Sequence, residues 1–279
     1  MEWVRSLNKA IDYIEDNLLS ELTCEGIAAQ VYISIYHFQR VFSLLTGMTV
    51  GEYIRNRRLS LAGQELIMSN VKVIDVALKY GYDTPESFAK AFSRFHGVTP
   101  NQAKMEGSNL KSFNRLVIKI RLEGGNIMDY RVVRKDTFQV KVKTRVISCE
   151  NSGEEIPKFW SEYYSNGFNE QVCGMFGICE QEKAGSGEFR YGIGCEYEAN
   201  SLVPDGFEIL TIPEYTWAIF KCVGPMPDTI QNMWKRIYSE WLPQAEYELI
   251  QDYDIERYTE GNNQNEEYVS EIWLPVRKK

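Results

Sequence analysis

No run of apolar residues in this chain approaches the ~20 needed to cross a bilayer as a helix. The opening MEWVRSLNKA carries no apolar core of the secretory type, so the expected compartment is the cytoplasm. Histidine is scarce, with His37 and His96 the whole supply, and the six cysteines (24, 149, 173, 179, 195 and 222) never form a C-x-x-C pair. Together these scarcities argue against a metal site, and no metal or cofactor is expected. A Ser-His-Asp or Cys-His catalytic set is missing too, because both histidines fall in the first hundred residues. The expectation is therefore no catalytic residues and no enzyme.

An excess of positive charge is also absent. The net charge is −8 over 279 residues, which taken alone disfavours a nucleic-acid partner. The deficit is uneven, however. Residues 1–107 hold 11 Lys/Arg against 12 Asp/Glu, while residues 108–279 hold 20 against 27. Within the first part, Arg40, Arg55, Arg57 and Arg58 face Glu52 alone between Ser34 and Arg58. The tract 108–122 has Lys111, Arg115, Lys119 and Arg121 with no acid. Local basic stripes of this kind permit phosphate contact without establishing it.

What is present is a sentence written twice. Residues 38–49 read FQRVFSLLTGMT and residues 88–99 read FAKAFSRFHGVT, identical at five of twelve positions. Leu7, Ile11, Ile14 and Leu18 step at helical spacing over residues ~4–18, and Ile27, Ala28 and Val31 mark a short second helix. Ser34 caps a third, in which Phe38, Phe42 and Leu45 turn inward and Tyr36, Gln39 and Arg40 outward; Gly47 ends it. The echo has Ile74, Ala77 and Leu78 facing inward on a short helix, then Thr84 as cap with Pro85 at the first helical position. Phe88, Phe92 and Phe95 go inward, Glu86 and Lys90 outward. Residues 49–69 join the copies as one long helix. A short helix, a tight turn and a second helix with a polar outer face make a helix-turn-helix, here twice. Two such units on one connecting helix can enter successive major-groove segments ~34 Å apart, so one chain can act as a monomer on duplex DNA.

Residues ~7–104 resemble the DNA-binding domain of AraC-type transcriptional regulators. The resemblance rests on CEGIAAQVYISIYHFQRVFSLLTGMTVGEYIRNRRLSLAGQEL and on VIDVALKYGYDTPESFAKAFSRFHGVTP, with its A-x-x-x-G-[FY] and G-x-T-P landmarks. It implies recognition helices at 34–46 and 84–96. Tyr36, Gln39 and Arg40 would contact base edges or phosphates in the first, and Pro85, Glu86 and Lys90 stand in the matching places of the second. Glu86 could accept from a cytosine N4 or repel phosphate. Ala103 and Lys104 stand where the family usually has an aromatic and an arginine. RNA polymerase is the partner that the resemblance adds to DNA.

From Met128 the texture changes to alternation. The order is a long strand or hairpin (130–147), a helix (155–167) and two strands (172–181, 188–198). A strand (207–223), a helix (228–242) and two more strands (247–259, 267–276) repeat it. This β-α-β-β order, twice, predicts two antiparallel layers about a pseudo-twofold axis with a cleft between them. The fold class expected overall is a multidomain chain: an all-α tandem helix-turn-helix domain at 1–107, a basic linker at 108–127, and an α+β domain of two β-α-β-β repeats at 128–279. Glu256 in YDIERY and Glu271 in YVSEIWLP sit inside strands among aromatics, where a charge usually needs a partner. A solvated strand face is the other reading of both.

Residues ~128–279 also resemble GyrI-like effector-binding domains, through the strand–helix order, the YDIERY strand after W-L-P-x-x-x-Y, and the terminal SEIWLPV strand. The resemblance implies a small hydrophobic effector, often cationic, in an aromatic cleft. Glu256 and Glu271 would be the cleft carboxylates, and Trp217, Tyr258 and Trp273 its walls. Aromatic faces and a carboxylate at low dielectric attract organic cations on physical grounds alone. Two other readings stay open: a hydrolase in which Glu256 and Glu271 activate water on small lipophilic compounds, and an adaptor whose cleft binds another protein.

Overall fold

The computed structural model describes residues 2–31, 35–105, 107–118, 127–180 and 187–279, with the backbone alone for residues 2–4, 36 and 37. Its contacts divide the chain into two compact units. One holds residues 3–32 and 46–119; the other holds 1–2, 33–45 and 120–279. This division departs from a single boundary at 107, because residues 33–45 group with the C-terminal half.

Among the described residues, seven helices precede the first strand: α1 (Glu2–Asp16), α2 (Cys24–Ala29), α3 (Ile35–Thr46), α4 (Val50–Met68), α5 (Val73–Lys79), α6 (Pro85–His96) and α7 (Pro100–Ala103). Threonines set the starts of α2, α4, α6 and α7. Thr23 and Thr84 accept from the backbone N–H three residues on, and Thr49/Glu52 and Thr99/Gln102 form reciprocal capping boxes. Gly97 closes α6 at φ +84°, a conformation that costs glycine nothing.

In the first unit, Leu59, Ala62 and Leu66 of α4 pack against Val76, Ala77, Tyr80, Phe88 and Phe92. The inner face of α5 therefore runs through 76, 77 and 80. Ile74 and Leu78, expected inward, are exposed, since a two-turn helix offers one narrow stripe to the core. His96, rather than Phe95, is the fully buried residue at the end of α6. Its Nδ1 accepts from the Lys111 N–H at 3.2 Å, which leaves Nε2–H to donate to the Leu59 carbonyl at 2.9 Å. Gly63 makes room for the ring; a Cβ there would stand 2.8 Å from it. Burial holds the imidazole below its ordinary pKa, so it serves this core as a neutral group.

Three bases of the stripes, Arg57, Arg58 and Arg115, are engaged inside this unit. Arg57 forks onto Glu15 through two 2.7 Å bonds, with Tyr53 Oη donating to the same carboxylate at 2.6 Å. Burial opposes ionisation of Glu15, but the Arg57 and Tyr53 hydrogen bonds outweigh it and hold the carboxyl below its usual range. Arg58 caps the Leu18 and Ser20 carbonyls. Residues 108–118, expected as linker, are stitched to the helices by Phe113 N–H to Ser60, Leu116 N–H to Tyr53, a paired Asn8–Ile118 exchange and an Arg115–Asp12 ion pair. The Gly124–Gly125 part of that expected hinge lies outside the described residues.

The second unit is built on one sheet rather than two layers. Its strands are β1 (Tyr130–Lys135), β2 (Phe138–Ser148), β3 (Phe176–Glu180), β4 (Glu188–Glu196), β5 (Glu208–Ile212), β6 (Tyr215–Val223), β7 (Tyr247–Leu249), β8 (Tyr253–Tyr258) and β9 (Val269–Lys278). The order is β1-β6-β9-β8-β3-β4-β2-β5, with β7 on β9, and every pair is antiparallel. Read from either end, the order runs through equivalent strands of the two repeats. The expected hairpin at 130–147 is two strands that do not pair: β1 joins β6 of the second repeat, and β5 joins β2 of the first. This exchange fuses the repeats into one sheet with β8 and β3 at its centre. Helices α8 (Ser152–Ser165), α9 (Phe168–Gln171) and α10 (Asp228–Arg236) complete the unit. A π turn at Ile237–Trp241 continues α10.

Alternation assigns each strand residue to a face. Asp254, Glu256 and Tyr258 share a face with their partners Cys179, Gly177, Ile272 and Ser270, and with Tyr191 across from Cys179. Ile255, Arg257, Glu271, Trp273 and Trp217 share the other. The first face meets α8 through Phe159 and Tyr163, which join the Tyr191 cluster. The second gathers Val140, Phe176, Ile178, Trp217, Ile219 and Trp273.

Candidate functional site

The site grows from the middle strand pair. Opposite Glu256 stands Gly177, where a Cβ would lie 2.2 Å from Tyr191 Oη and 3.2 Å from the Trp160 ring. Glycine at this position lets an aromatic wall close over the β3 backbone. Trp160 Nε1 donates to Tyr191 Oη at 3.0 Å, and its ring meets Tyr258 edge-on at 5.2 Å. From α10, Trp234 stacks on Tyr238 at 6.0 Å, one helical turn on. Glu256 is at the centre: Oε1 accepts from Trp234 Nε1 at 2.7 Å and Oε2 from Tyr258 Oη at 2.7 Å.

A cation already faces this carboxylate. Arg40 of α3 donates to Glu256 Oε1 at 3.1 Å, and its Nη1 lies 3.9 Å from Asp254 Oδ2. Its guanidinium stands 3.7 Å above the Trp234 ring, within cation–π range. Only 18% of the Arg40 side chain and 15% of the Glu256 side chain remain in contact with solvent, so the pair is substantially desolvated. Ile35, one turn earlier on α3, packs against the Phe159–Tyr163 cluster.

The surrounding acids and phenols are tuned by burial. Tyr191, Tyr238 and Tyr258 are held well above the ordinary tyrosine pKa, first by burial and then by Glu256 or Asp254, so they stay protonated and can donate. Asp254 is pushed up to about 6 by burial, with Arg40 opposing and Glu256 reinforcing. An acid whose folded pKa is raised contributes stability that is full below its unfolded value and lost as pH rises through the folded one. Stability is therefore expected to fall between pH ~4 and ~6 by an amount on the order of 2–3 kcal/mol from this group. Arg40, Glu256, Tyr238 and Cys179 are the ionisable groups around it. Denaturant unfolding of the chain and of Asp254→Asn across pH 4–7 checks it: the difference between them should carry the slope, and parallel curves would refute it.

The sequence-derived residues are distributed differently from expectation. Glu256 and Tyr258 lie together, joined by a 2.7 Å hydrogen bond. Glu271 does not join them: Arg257 opposes Glu271 while Ile272 opposes Glu256, which puts the two glutamates on opposite faces. Glu271 is instead bound by Arg131 at 2.8 Å, Trp273 Nε1 at 2.8 Å and Arg257 at 3.3 Å. Burial works against its charge, but these donors prevail and lower its pKa. Trp217 and Trp273 lie on that same far face, their rings 6.1 Å apart, and cannot wall the cleft. Glu256 and Glu271 cannot act as an acid–base pair on one substrate for the same reason. Asp254, Trp160, Tyr191, Trp234 and Tyr238 are the residues around Glu256 and Tyr258 that the sequence reading missed. Asp254 was within reach, two residues from Glu256 on the same strand face; the others needed the helix packing.

On the nucleic-acid side, Glu86 and Lys90 are exposed on α6 and Pro85 is half-buried at its start. Gln39 is half-buried on α3, the Arg40 side chain lies against Glu256, and the Tyr36 side chain is outside the described residues. Among the described residues, no group of three His, Cys, Asp or Glu could hold a metal, and no helix is long and apolar enough to cross a membrane.

The family profile described as integron-associated effector binding protein matches residues 131–276, nearly all of the sheet and both its long helices, and a helix-turn-helix profile matches residues 27–105. The chain belongs to the integron-associated effector-binding family, joined to an AraC-type DNA-binding domain. It is similar to the transcriptional activator AarP of Providencia stuartii, 37% identical over 114 residues that make up 41% of this chain and 84% of AarP. It is likewise similar to the multiple antibiotic resistance protein MarA of Escherichia coli K12, 30% identical over 112 residues, 40% of this chain and 87% of MarA. A solved structure similar to the second unit, SAV2435 bound to tetraphenylphosphonium, aligns at TM-score 0.49 and 19% identity over 54% of this chain and 94% of that one. This regulator thus combines two helix-turn-helix motifs with a small-molecule-sensing domain, and these curated relatives are transcriptional regulators.

Proposed function

We propose that this regulator reads a long asymmetric operator as a monomer, through α3 and α6, and admits a lipophilic cation to its cleft with Glu256 as counter-charge. The observation that carries the second part is the state of Glu256. It is fixed by Trp234 and Tyr258 and already opposes a guanidinium stacked on an aromatic ring. A carboxylate held this way is preorganised for positive charge, so little ordering is left to be done when a cation arrives. RNA polymerase is the further partner in this reading, and the cleft is a sensor that releases its ligand unchanged.

Calorimetry of the full chain with tetraphenylphosphonium and with tetraphenylborate, ions of one shape and opposite charge, tests the cleft. The cation is expected to bind and the anion not; equal affinity would leave a merely apolar pocket. On the DNA side, Lys90 is an exposed base of α6, with Arg94 another one turn on. Lys90→Ala is expected to weaken all duplex sequences alike and to reduce the salt slope by about one unit. Footprints should cover two major-groove segments about one turn apart. Protection of a palindrome by a dimer would reject the monomer reading.

A further inference from the structure

The fifty-residue repeat sets Arg40 of α3 against Lys90 of α6, basic residues at equivalent places on the two recognition helices. Their surroundings differ. Lys90 is exposed to solvent, whereas Arg40 is stacked on Trp234, hydrogen-bonded to Glu256 and 3.9 Å from Asp254. A guanidinium can fork onto a carboxylate or onto a guanine edge through the same N–H groups, but only onto one at a time. The cleft therefore holds, from within the chain, a planar delocalised cation of the class that its carboxylate and aromatic rings suit.

We propose that Arg40 is the cleft's own ligand: a lipophilic cation that takes Glu256 displaces it, and so couples effector binding to base reading by α3. This rests on the reading of Glu256 as a cation's counter-charge. Among the described contacts of α3 with the sheet and its helices are Ile35 against the Phe159–Tyr163 cluster and Arg40 beside Glu256. Loss of the second removes the ion pair that ties α3 to the central strands. The incoming cation must compete with a tethered arginine, so its apparent affinity is reduced by the fraction of molecules in which the cleft is occupied by Arg40. The same occupancy withholds Arg40 from DNA. Linkage then requires that an effector which frees Arg40 strengthen DNA reading by α3, and that DNA strengthen effector binding by the same factor.

Two measurements on the full chain test this. In calorimetry, Arg40→Ala is expected to bind tetraphenylphosphonium about tenfold or more tightly than the parent, because the competitor is gone. In hydrogen exchange, residues 35–46 are expected to lose protection at least tenfold when tetraphenylphosphonium is added, and also in Glu256→Gln without any ligand. Glu256→Gln is a suitable probe because its amide oxygen can still accept from Trp234 while its amide NH2 can donate to the Tyr258 hydroxyl oxygen. Unchanged exchange of 35–46 in Glu256→Gln, or equal cation affinity of Arg40→Ala and the parent, overturns the self-ligand while leaving the cation reading of the cleft in place. Failure of the cation to bind even Arg40→Ala overturns that reading, and displacement with it.

Discussion

Glu256→Gln, introduced into Arg40→Ala, is expected to cut the affinity for tetraphenylphosphonium by two to three orders of magnitude. Removing one partner of a desolvated ion pair costs roughly 3–5 kcal/mol, because the remaining charge is left without compensation. The aromatic rings cannot make up that loss: cation–π contact with Trp234 is worth ~0.5–2 kcal/mol. The Arg40→Ala background matters to the size of the effect. In the parent chain the same substitution also releases Arg40 from Glu256, which removes a competitor as it removes the counter-charge, so the net loss there should be smaller. Asp254 provides a second contrast, buried beside Glu256 with no hydrogen-bond donor at Oδ2 among the described residues. Tetraphenylborate should gain rather than lose when Glu256 is neutralised. Calorimetry of the four proteins with both ions reads all of this, and a loss below threefold in the Arg40→Ala background would remove Glu256 from its role.

How much of this was legible in the sequence follows from the kind of signal each feature leaves. The tandem helices were legible because their starts and stops are local: Thr84 before Pro85 and Gly97 after His96 act within one turn. The two β-α-β-β halves were legible for the same reason. Strand exchange was not, because β1 to β6 and β5 to β2 are pairings across ~70–90 residues with no local mark. Strand parity was half legible. Tyr258 and Glu256 are two apart and must share a face, as must Trp273 and Glu271, yet the register between β8 and β9 decides which face meets the helices. Both faces of this sheet are apolar, so hydrophobic alternation could not choose between them. Arg40 was read as a groove residue because an outward polar position on a helix looks the same whether it meets DNA or a carboxylate. Arg57 and Arg58 were counted with the basic stripe for want of the tertiary partners, Glu15 and the Leu18 and Ser20 carbonyls, that absorb them.

The parity of Trp217 leads to the other large effect. Trp217→Ala is expected to destabilise the C-terminal unit by ~3–5 kcal/mol without specifically weakening cation binding by the molecules that remain folded. The ring is fully buried on the face away from Glu256, between Tyr215 at 5.5 Å, Trp273 at 6.1 Å and Phe138 at 6.5 Å. Removing it leaves a cavity bounded by a sheet whose strands are fixed on both sides, so little collapse can fill the space. Its indole N–H has no acceptor among the described residues, which distinguishes this tryptophan from Trp234 and Trp273, each of which donates to a glutamate. An unsatisfied buried donor costs ~1–3 kcal/mol, so Trp217→Phe, which deletes the donor along with part of the volume, should cost far less than the alanine variant. Urea unfolding of the three proteins, with tetraphenylphosphonium titrations scaled to the folded fraction, separates packing from binding. A Trp217→Ala protein of undiminished stability but weakened cation affinity would return Trp217 to the cleft wall, and would require a register for β6 and β9 other than the one that pairs Ile219 with Trp273.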